Sequence, residues 1–89
     1  MADMNKNEIQ FPCAWEFRII VEADKNDAAV AGIEGVFFAF GVDVELVPGG
    51  VSGGGRYRAY RTAAQVTDRE MLNRLTAGLG SVDGVKMVL

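Results

Sequence analysis

Residues 13–22 read Cys-Ala-Trp-Glu-Phe-Arg-Ile-Ile-Val-Glu, and this stretch decides the fold. Its odd-numbered positions are all apolar, whereas its even-numbered positions include two glutamates and one arginine. Alternation with a period of two is typical of a strand that buries one face and leaves the other in water. The pattern therefore predicts a first strand over Cys13–Glu22 that places Trp15 and Phe17 against a core.

Two segments further along the chain carry apolar residues at helical spacing. Between Asp27 and Phe40 the apolar positions recur every three or four residues, which predicts a first helix. A second helix is predicted after residues 67–70, Thr-Asp-Arg-Glu, which have the form of a capping box with Thr67 as the cap. A stripe of leucines follows, and Gly80 is expected to close this helix.

Three more strands complete the order βαββαβ. Extended structure is predicted over 42–47, 56–64 and 85–89, and the glycine-rich residues 48–55 are expected to form a flexible connection. Right-handed crossovers then give an antiparallel sheet in the strand order 4-1-3-2, with both helices on one face. The sequence therefore predicts an α+β fold, the ferredoxin-like βαββαβ sandwich.

Length and composition fit one small domain. The 89 residues are expected to form a flexible N-terminal arm over 1–10 and a single domain over 11–89. No apolar run approaches the roughly 20 residues of a membrane span, and the polar arm does not resemble a secretory signal. The single cysteine, Cys13, is expected to be structural and fits a reducing compartment. The expected location is therefore the cytoplasm.

Charge is distributed unevenly along the chain. Residues 1–50 carry nine acidic and three basic side chains, whereas residues 51–89 carry three acidic and six basic side chains. We expect the arginines of the third strand to pair with acids on the flanking strands. The alternative is an asymmetric surface on which a partner docks.

The residue types exclude several chemistries. The chain contains no histidine, so a Ser-His-Asp or Cys-His catalytic site is impossible within it, and zinc would lack its usual ligands. The glycines of residues 49–55 lack the Gly-Lys-Ser/Thr ending of a phosphate-binding loop. We therefore expect a protein that is not an enzyme and that has no catalytic residue, no metal ligand and no cofactor.

Residues 56–61 read Arg-Tyr-Arg-Ala-Tyr-Arg and interleave bases with aromatic rings, as RNA-binding sheets do. Stacking rings must share one face of a sheet. Tyr57 and Tyr60 lie three positions apart, so they point to opposite faces of the strand. Nucleic acid is therefore an unfavoured partner, although an RNA-binding domain is kept as an alternative.

The stretch from Phe11-Pro12 through the first strand, together with residues 82–89, Val-Asp-Gly-Val-Lys-Met-Val-Leu, resembles the YbeD-like family of small bacterial proteins. The resemblance covers about residues 9–89. It implies a ferredoxin fold similar to the ACT-type regulatory domains and a domain of unknown function. The family has apolar residues at matching places of the third strand. The resemblance therefore implies that Tyr60, Thr62 and Ala64 face the core.

Two functional expectations follow from these patterns. The sheet face without helices is the candidate interaction face, and we expect a regulatory or protein-interaction module that docks through it, or through an edge strand, on a protein partner or as a homodimer. The alternative is an ACT-type sensor that binds a small metabolite near residues 23–30, although residues 23–27 lack the glycine that such a site normally has. The candidate interaction face comprises Glu16, Arg18, Ile20, Glu45, Tyr57, Arg61 and Lys86.

Overall fold

Four strands and two helices alternate in the expected order. The structure is a computed structural model and describes residues 10–89, apart from the side chain of Ser52, so the predicted arm lies outside the described residues except for Gln10. Neither helix in this part of the chain has the length and apolar character that crossing a membrane requires. The elements are β1 (Cys13–Glu22), α1 (Asn26–Ala39), β2 (Val47–Ser52), β3 (Tyr57–Val66), α2 (Arg69–Gly80) and β4 (Val85–Val88), with a short 3-10 turn (Ala23–Lys25) before α1.

The strands form one sheet in the order β2-β3-β1-β4, and every pair is antiparallel. This order confirms the predicted ferredoxin-like sandwich, because 4-1-3-2 is the same arrangement counted from the other edge. The two crossover connections carry the helices, and a tight turn joins β2 to β3.

The core lies between the helices and the inward face of β1, as the alternation predicts. Phe17 is 1% exposed and packs edge-to-face against Phe37 of α1, with ring centroids 5.5 Å apart. Trp15 lies on the same face, half-buried at the margin of the core. The buried apolar side chains of this layer include Phe17, Ile19 and Val21 from β1, Ala29, Ile33 and Phe37 from α1, and Leu72, Leu75 and Leu79 from α2.

The inward face of β3 is the one that the resemblance implied. Tyr60, Thr62 and Ala64 are all buried under the helices. The hydroxyl of Tyr60 donates a hydrogen bond of 2.6 Å to Oδ1 of Asn26, which ties β3 to the start of α1. A buried phenol needs such a hydrogen-bond partner. Because Tyr60 faces the helices, Tyr57 is the tyrosine of β3 that faces away from them.

The prediction for the second strand was wrong. Residues 42–46 are not part of the sheet, and β2 occupies Val47–Ser52 within the segment that was expected to be a flexible connection. The cause is the turn over residues 53–56, whose three glycines adopt positive φ angles of 61°, 68° and 92°. Such a turn reverses the chain within four residues, so the residues immediately before it must pair with β3. Pro48 is tolerated because β2 is an edge strand.

The predicted cap of the second helix was displaced by one residue. Asp68 is the N-cap: its carboxylate accepts a hydrogen bond of 2.8 Å from the backbone N–H of Met71. Thr67 lies outside the helix, and its hydroxyl contacts the Met71 sulfur at 3.5 Å. Both residue types cap helices well, so the sequence contained two adequate caps in a row and the fold selected the second.

Candidate functional site

The second face of the sheet is covered by no element of residues 10–89. In β1 the even-numbered side chains point to this open face, and in β3 the odd-numbered side chains do so. Residues that stand directly opposite each other on paired strands share a face. The strand register therefore fixes which side chains are neighbours on the open face.

An apolar stripe crosses the open face from one edge of the sheet to the other. Ile20 of β1 stands opposite Ala59 of β3 and opposite Met87 of β4, and Ala59 in turn stands opposite Gly50 of β2. Met87 is 47% exposed. We call these four residues the apolar stripe. It is one residue wide and runs perpendicular to the strands.

Two arginines lie directly opposite each other on one side of the apolar stripe. Arg18 of β1 pairs in register with Arg61 of β3, and both side chains are exposed. Like charges at opposed positions destabilise a sheet unless something else neutralises them. Val47 of β2, which is 45% exposed, stands beside Arg61 and extends this row.

The arginines of β3 do not pair with acids among the described residues, contrary to expectation. The register explains this, because Glu16 stands opposite Ala63 and β2 contains no acid. The salt bridges that the structure shows lie elsewhere. Lys25 binds Asp83 at 3.3 Å, and Arg74 binds Glu70 at 3.9 Å.

The other side of the apolar stripe carries an acid, an aromatic ring and a base. Glu22 of β1 stands opposite Tyr57 of β3. The Lys86 ammonium lies 6.0 Å from the centroid of the Tyr57 ring, at the limit of a cation–π contact. Because Tyr57 and Lys86 flank β1 on either side, this contact places both side chains on the open face.

A shallow hollow lies where the apolar stripe contains its smallest residues. It has a volume of about 240 Å³, and small residues of β2 and β3 form its floor beside Ile20 and Arg18. Glycine and alanine leave the space that a larger side chain would fill. The hollow is lined by Arg18, Ile20, Gly49, Gly50, Val51, Ala59 and Leu89.

Six of the seven predicted site residues share the open face, and Glu45 does not. Glu45 is exposed, but it lies in residues 42–46, outside the sheet, because β2 begins at Val47. The sequence reasoning also missed Met87 and Gly50. A bulge in the pairing of β1 with β4, between Ile20 and Val21, turns Met87 to the open face, and no local sequence signal marks that bulge. The six residues are Glu16, Arg18, Ile20, Tyr57, Arg61 and Lys86.

Residues 23–30, where the alternative prediction places a metabolite, are tied to other parts of the fold by side-chain contacts. Lys25 bridges to Asp83 near the turn before β4, and Tyr60 bonds Asn26. The hydrogen bond and the negative charge of Asp83 raise the pKa of Lys25 above its ordinary value. Beside this region a cavity of about 430 Å³ combines both charge signs, and it is lined by Glu22, Ala23, Asp24, Gly55, Arg56 and Tyr57.

A larger depression of about 840 Å³ lies at the end of α1, where Phe38 is 83% exposed. Glu34 and Asp43 border it, and its lining contains no base. The open face offers both charge signs and an apolar centre, so we regard the open face as the stronger candidate. Within residues 10–89, no group of three potential metal-ligating side chains is close enough to hold an ion. Cys13 is a free, half-buried thiol at the start of β1.

Comparison with known proteins gives a family and a fold. The family model described as "Protein of unknown function (DUF493)" matches residues 6–89. No curated protein is significantly similar to the chain in sequence.

Three solved structures share the architecture. The solution structure of protein HP0495 from Helicobacter pylori has a TM-score of 0.78 and 18% identity, covering 100% of this chain and 93% of that chain. The ACT domain from GTP pyrophosphokinase of Chlorobium tepidum has a TM-score of 0.64 and 26% identity, covering 85% and 92%. The C-terminal domain of the MgtC protein from Mycobacterium tuberculosis has a TM-score of 0.67 and 18% identity, covering 91% and 88%.

Proposed function

Because the chain belongs to the DUF493 family of proteins of unknown function, we propose its role from the open face: a non-catalytic protein-interaction module that docks through this face. The family is the YbeD-like one that the first and last strands resemble. The observation that carries the proposal is the apolar stripe flanked by the opposed pair of Arg18 and Arg61.

The open face exposes both apolar and charged side chains. The free energy falls when a partner covers apolar side chains that are exposed to water. Neither the Arg18 nor the Arg61 guanidinium forms a salt bridge within residues 10–89, so a partner that brings carboxylates to them adds charge-assisted hydrogen bonds. A protein surface with apolar and acidic groups satisfies both needs at once.

The non-catalytic part of the proposal is supported by the sequence. Without histidine the chain lacks the most common general base. Docking to protein is favoured over RNA binding because Tyr60 is buried in the core, so Tyr57 has no second tyrosine of β3 beside it on which bases could stack. The single free cysteine supports a cytoplasmic location for the module.

A charge reversal on the open face tests the proposal. We expect Arg61→Glu to abolish capture of the partner protein from cell lysate, because it reverses the charge of one of the two opposed bases beside the apolar stripe. Arg58→Glu is the matched control: Arg58 lies on the same strand and is exposed, but it stands opposite the buried Val21 and so belongs to the other side of the sheet. Thermal unfolding of both variants checks that they fold.

The pattern of capture decides the outcome. A protein that binds the wild type and Arg58→Glu, but not Arg61→Glu, supports docking through the open face. Equal capture by all three chains would place the interaction elsewhere and refute the proposal.

An ACT-type metabolite sensor is the second candidate, and the cavity of about 430 Å³ favours it. Its lining offers the Arg56 guanidinium for a carboxylate and the carboxylates of Glu22 and Asp24 for an ammonium group, which suits an amino acid. The likeness to the ACT domain from GTP pyrophosphokinase supports the same reading. We expect at least one amino acid to raise the melting temperature of the wild type. We expect Arg56→Ala to abolish this increase. No increase across the common amino acids would exclude this candidate.

A further inference from the structure

We propose that the occupant of the open face is a second copy of this chain, packed face to face by a half-turn about an axis along the apolar stripe. The inference rests on the proposed function and names its partner. It follows from the order of side chains on the open face, which is complementary to itself.

The charges of β1 carry the argument. Along the open face of this strand, Arg18, Ile20 and Glu22 follow one another at every second position, so the apolar residue lies between a base and an acid. A half-turn about an axis through Ile20 and across the strands places each strand antiparallel to its copy. Arg18 then faces the partner's Glu22, and Glu22 faces the partner's Arg18, as an isologous interface requires.

The same half-turn also matches β3 with itself. Tyr57, Ala59 and Arg61 occupy its open face in that order. The rotation brings the guanidinium of Arg61 over the ring of the partner's Tyr57, which is the geometry of a cation–π contact. The dimer as a whole thus contains two charge pairs and two ring contacts, related to each other by the axis.

The hollow in the apolar stripe receives a side chain in this arrangement. It lies over Gly50 and Ala59, next to the row of Arg18 and Arg61. The half-turn sets that position against the partner's Tyr57. An aromatic ring that enters a small-residue pocket is a common anchor of protein interfaces.

The other in-plane axis is disfavoured by the same charges. An axis that runs along the strands, between β1 and β3, would set Arg18 against the partner's Arg61 and would stack four guanidinium groups. Like charges brought together across an interface oppose association. An axis moved along β1 to lie between Glu16 and Arg18 would pair these charges, but it would separate the two apolar stripes. The axis along the stripe satisfies both the charges and the apolar residues.

The size of the face predicts a weak dimer. Four strands spaced about 4.8 Å apart and three same-face positions along each strand give about 400 Å² of face per copy. Specific interfaces of standard size bury about 800 Å² per partner. The association is therefore expected at high protein concentration and low ionic strength, where the charge pairs are least screened.

Charge exchange between two variants tests the inference. Sedimentation velocity of the full chain, from micromolar to millimolar concentration, is expected to show a monomer–dimer equilibrium for the wild type. Arg18→Glu and Glu22→Arg each replace two attractive pairs by two repulsive ones, so each alone is expected to weaken dimerisation about tenfold or more. An equimolar mixture of the two variants is expected to recover it, because opposite charges face each other only in the mixed dimer.

The controls separate this inference from the proposed function. Arg58→Glu is expected to dimerise as the wild type does, and thermal unfolding checks the fold of every variant. A wild type that stays monomeric at millimolar concentration, or a dimer that the two variants do not weaken, would overturn the inference. In either case the capture experiment with Arg61→Glu still decides whether the open face docks a different protein. The inference is supported if each variant dimerises more weakly than the wild type and the equimolar mixture of the two regains dimerisation.

Discussion

Gly32 lies where α1 passes the turn that follows α2, and the contact leaves no room for a side chain. A Cβ at Gly32 would stand 2.6 Å from Cγ1 of Val82, whereas a Cβ at Gly35, one turn further along α1, would meet nothing within 4 Å. Val82 is β-branched, so its χ1 rotation is restricted and it yields little space. The two glycines of one helix thus lie in different surroundings: one is crowded and the other is open.

A pair of alanine substitutions separates these constraints. We expect Gly35→Ala to raise the free energy of unfolding by up to about 1 kcal/mol, because alanine is the better helix former. We expect Gly32→Ala to lower it by about 1 kcal/mol, because overpacking outweighs the same gain. Urea denaturation measures both values, and equal effects of the two substitutions would contradict the close packing of α1 on Val82.

At the scale of elements, β2 is the strand that its own sequence predicts least. It forms because the turn over residues 53–56 brings it beside β3. Pro48 and two glycines disfavour extended structure, yet Val47–Ser52 pairs with β3 over the whole length that the turn allows. Residues 42–46 have the stronger strand pattern. Their Val42, Val44 and Leu46 pack against the core from outside the sheet.

Amide hydrogen exchange distinguishes the two segments. In an edge strand only the amides that face the neighbouring strand are hydrogen-bonded. We therefore expect alternate amides within 47–52 to exchange at least about tenfold more slowly than the amides of 43–46, for which residues 10–89 provide no backbone acceptor. Slower exchange over 43–46 than over 47–52 would restore the strand that the alternation alone predicted.

At the scale of the whole molecule, the opposite charges of the two sequence halves do not hold the fold together through the sheet. Within residues 10–89, the ion pair that joins the halves runs from Lys25, a base of the acidic half, to Asp83, an acid of the basic half. Both side chains are largely exposed, and such pairs contribute little to stability. The excess charge is instead left on the surface, where it is available to a partner.

The prediction of which residues share the open face was correct where one strand decides it and wrong where two strands must be placed. The alternation of apolar and polar residues in β1 assigned Glu16, Arg18 and Ile20 to one face, and this assignment did not require the positions of the neighbouring strands. Glu45 was misplaced because its assignment needed the start of β2, which depends on the turn over 53–56. Met87 was missed because its face depends on a bulge against β1.

The amino-acid sequence by itself determined the order of elements, the buried face of β1, the two helices and the absence of histidine chemistry. These properties depend on periodicity and on residue type, which are local. Only the tertiary structure decided which residues form β2, which of two caps begins α2, and that Arg18 stands opposite Arg61. The physical reason is that strand register is set by contacts between distant residues, and a shift of one residue turns every side chain to the other face.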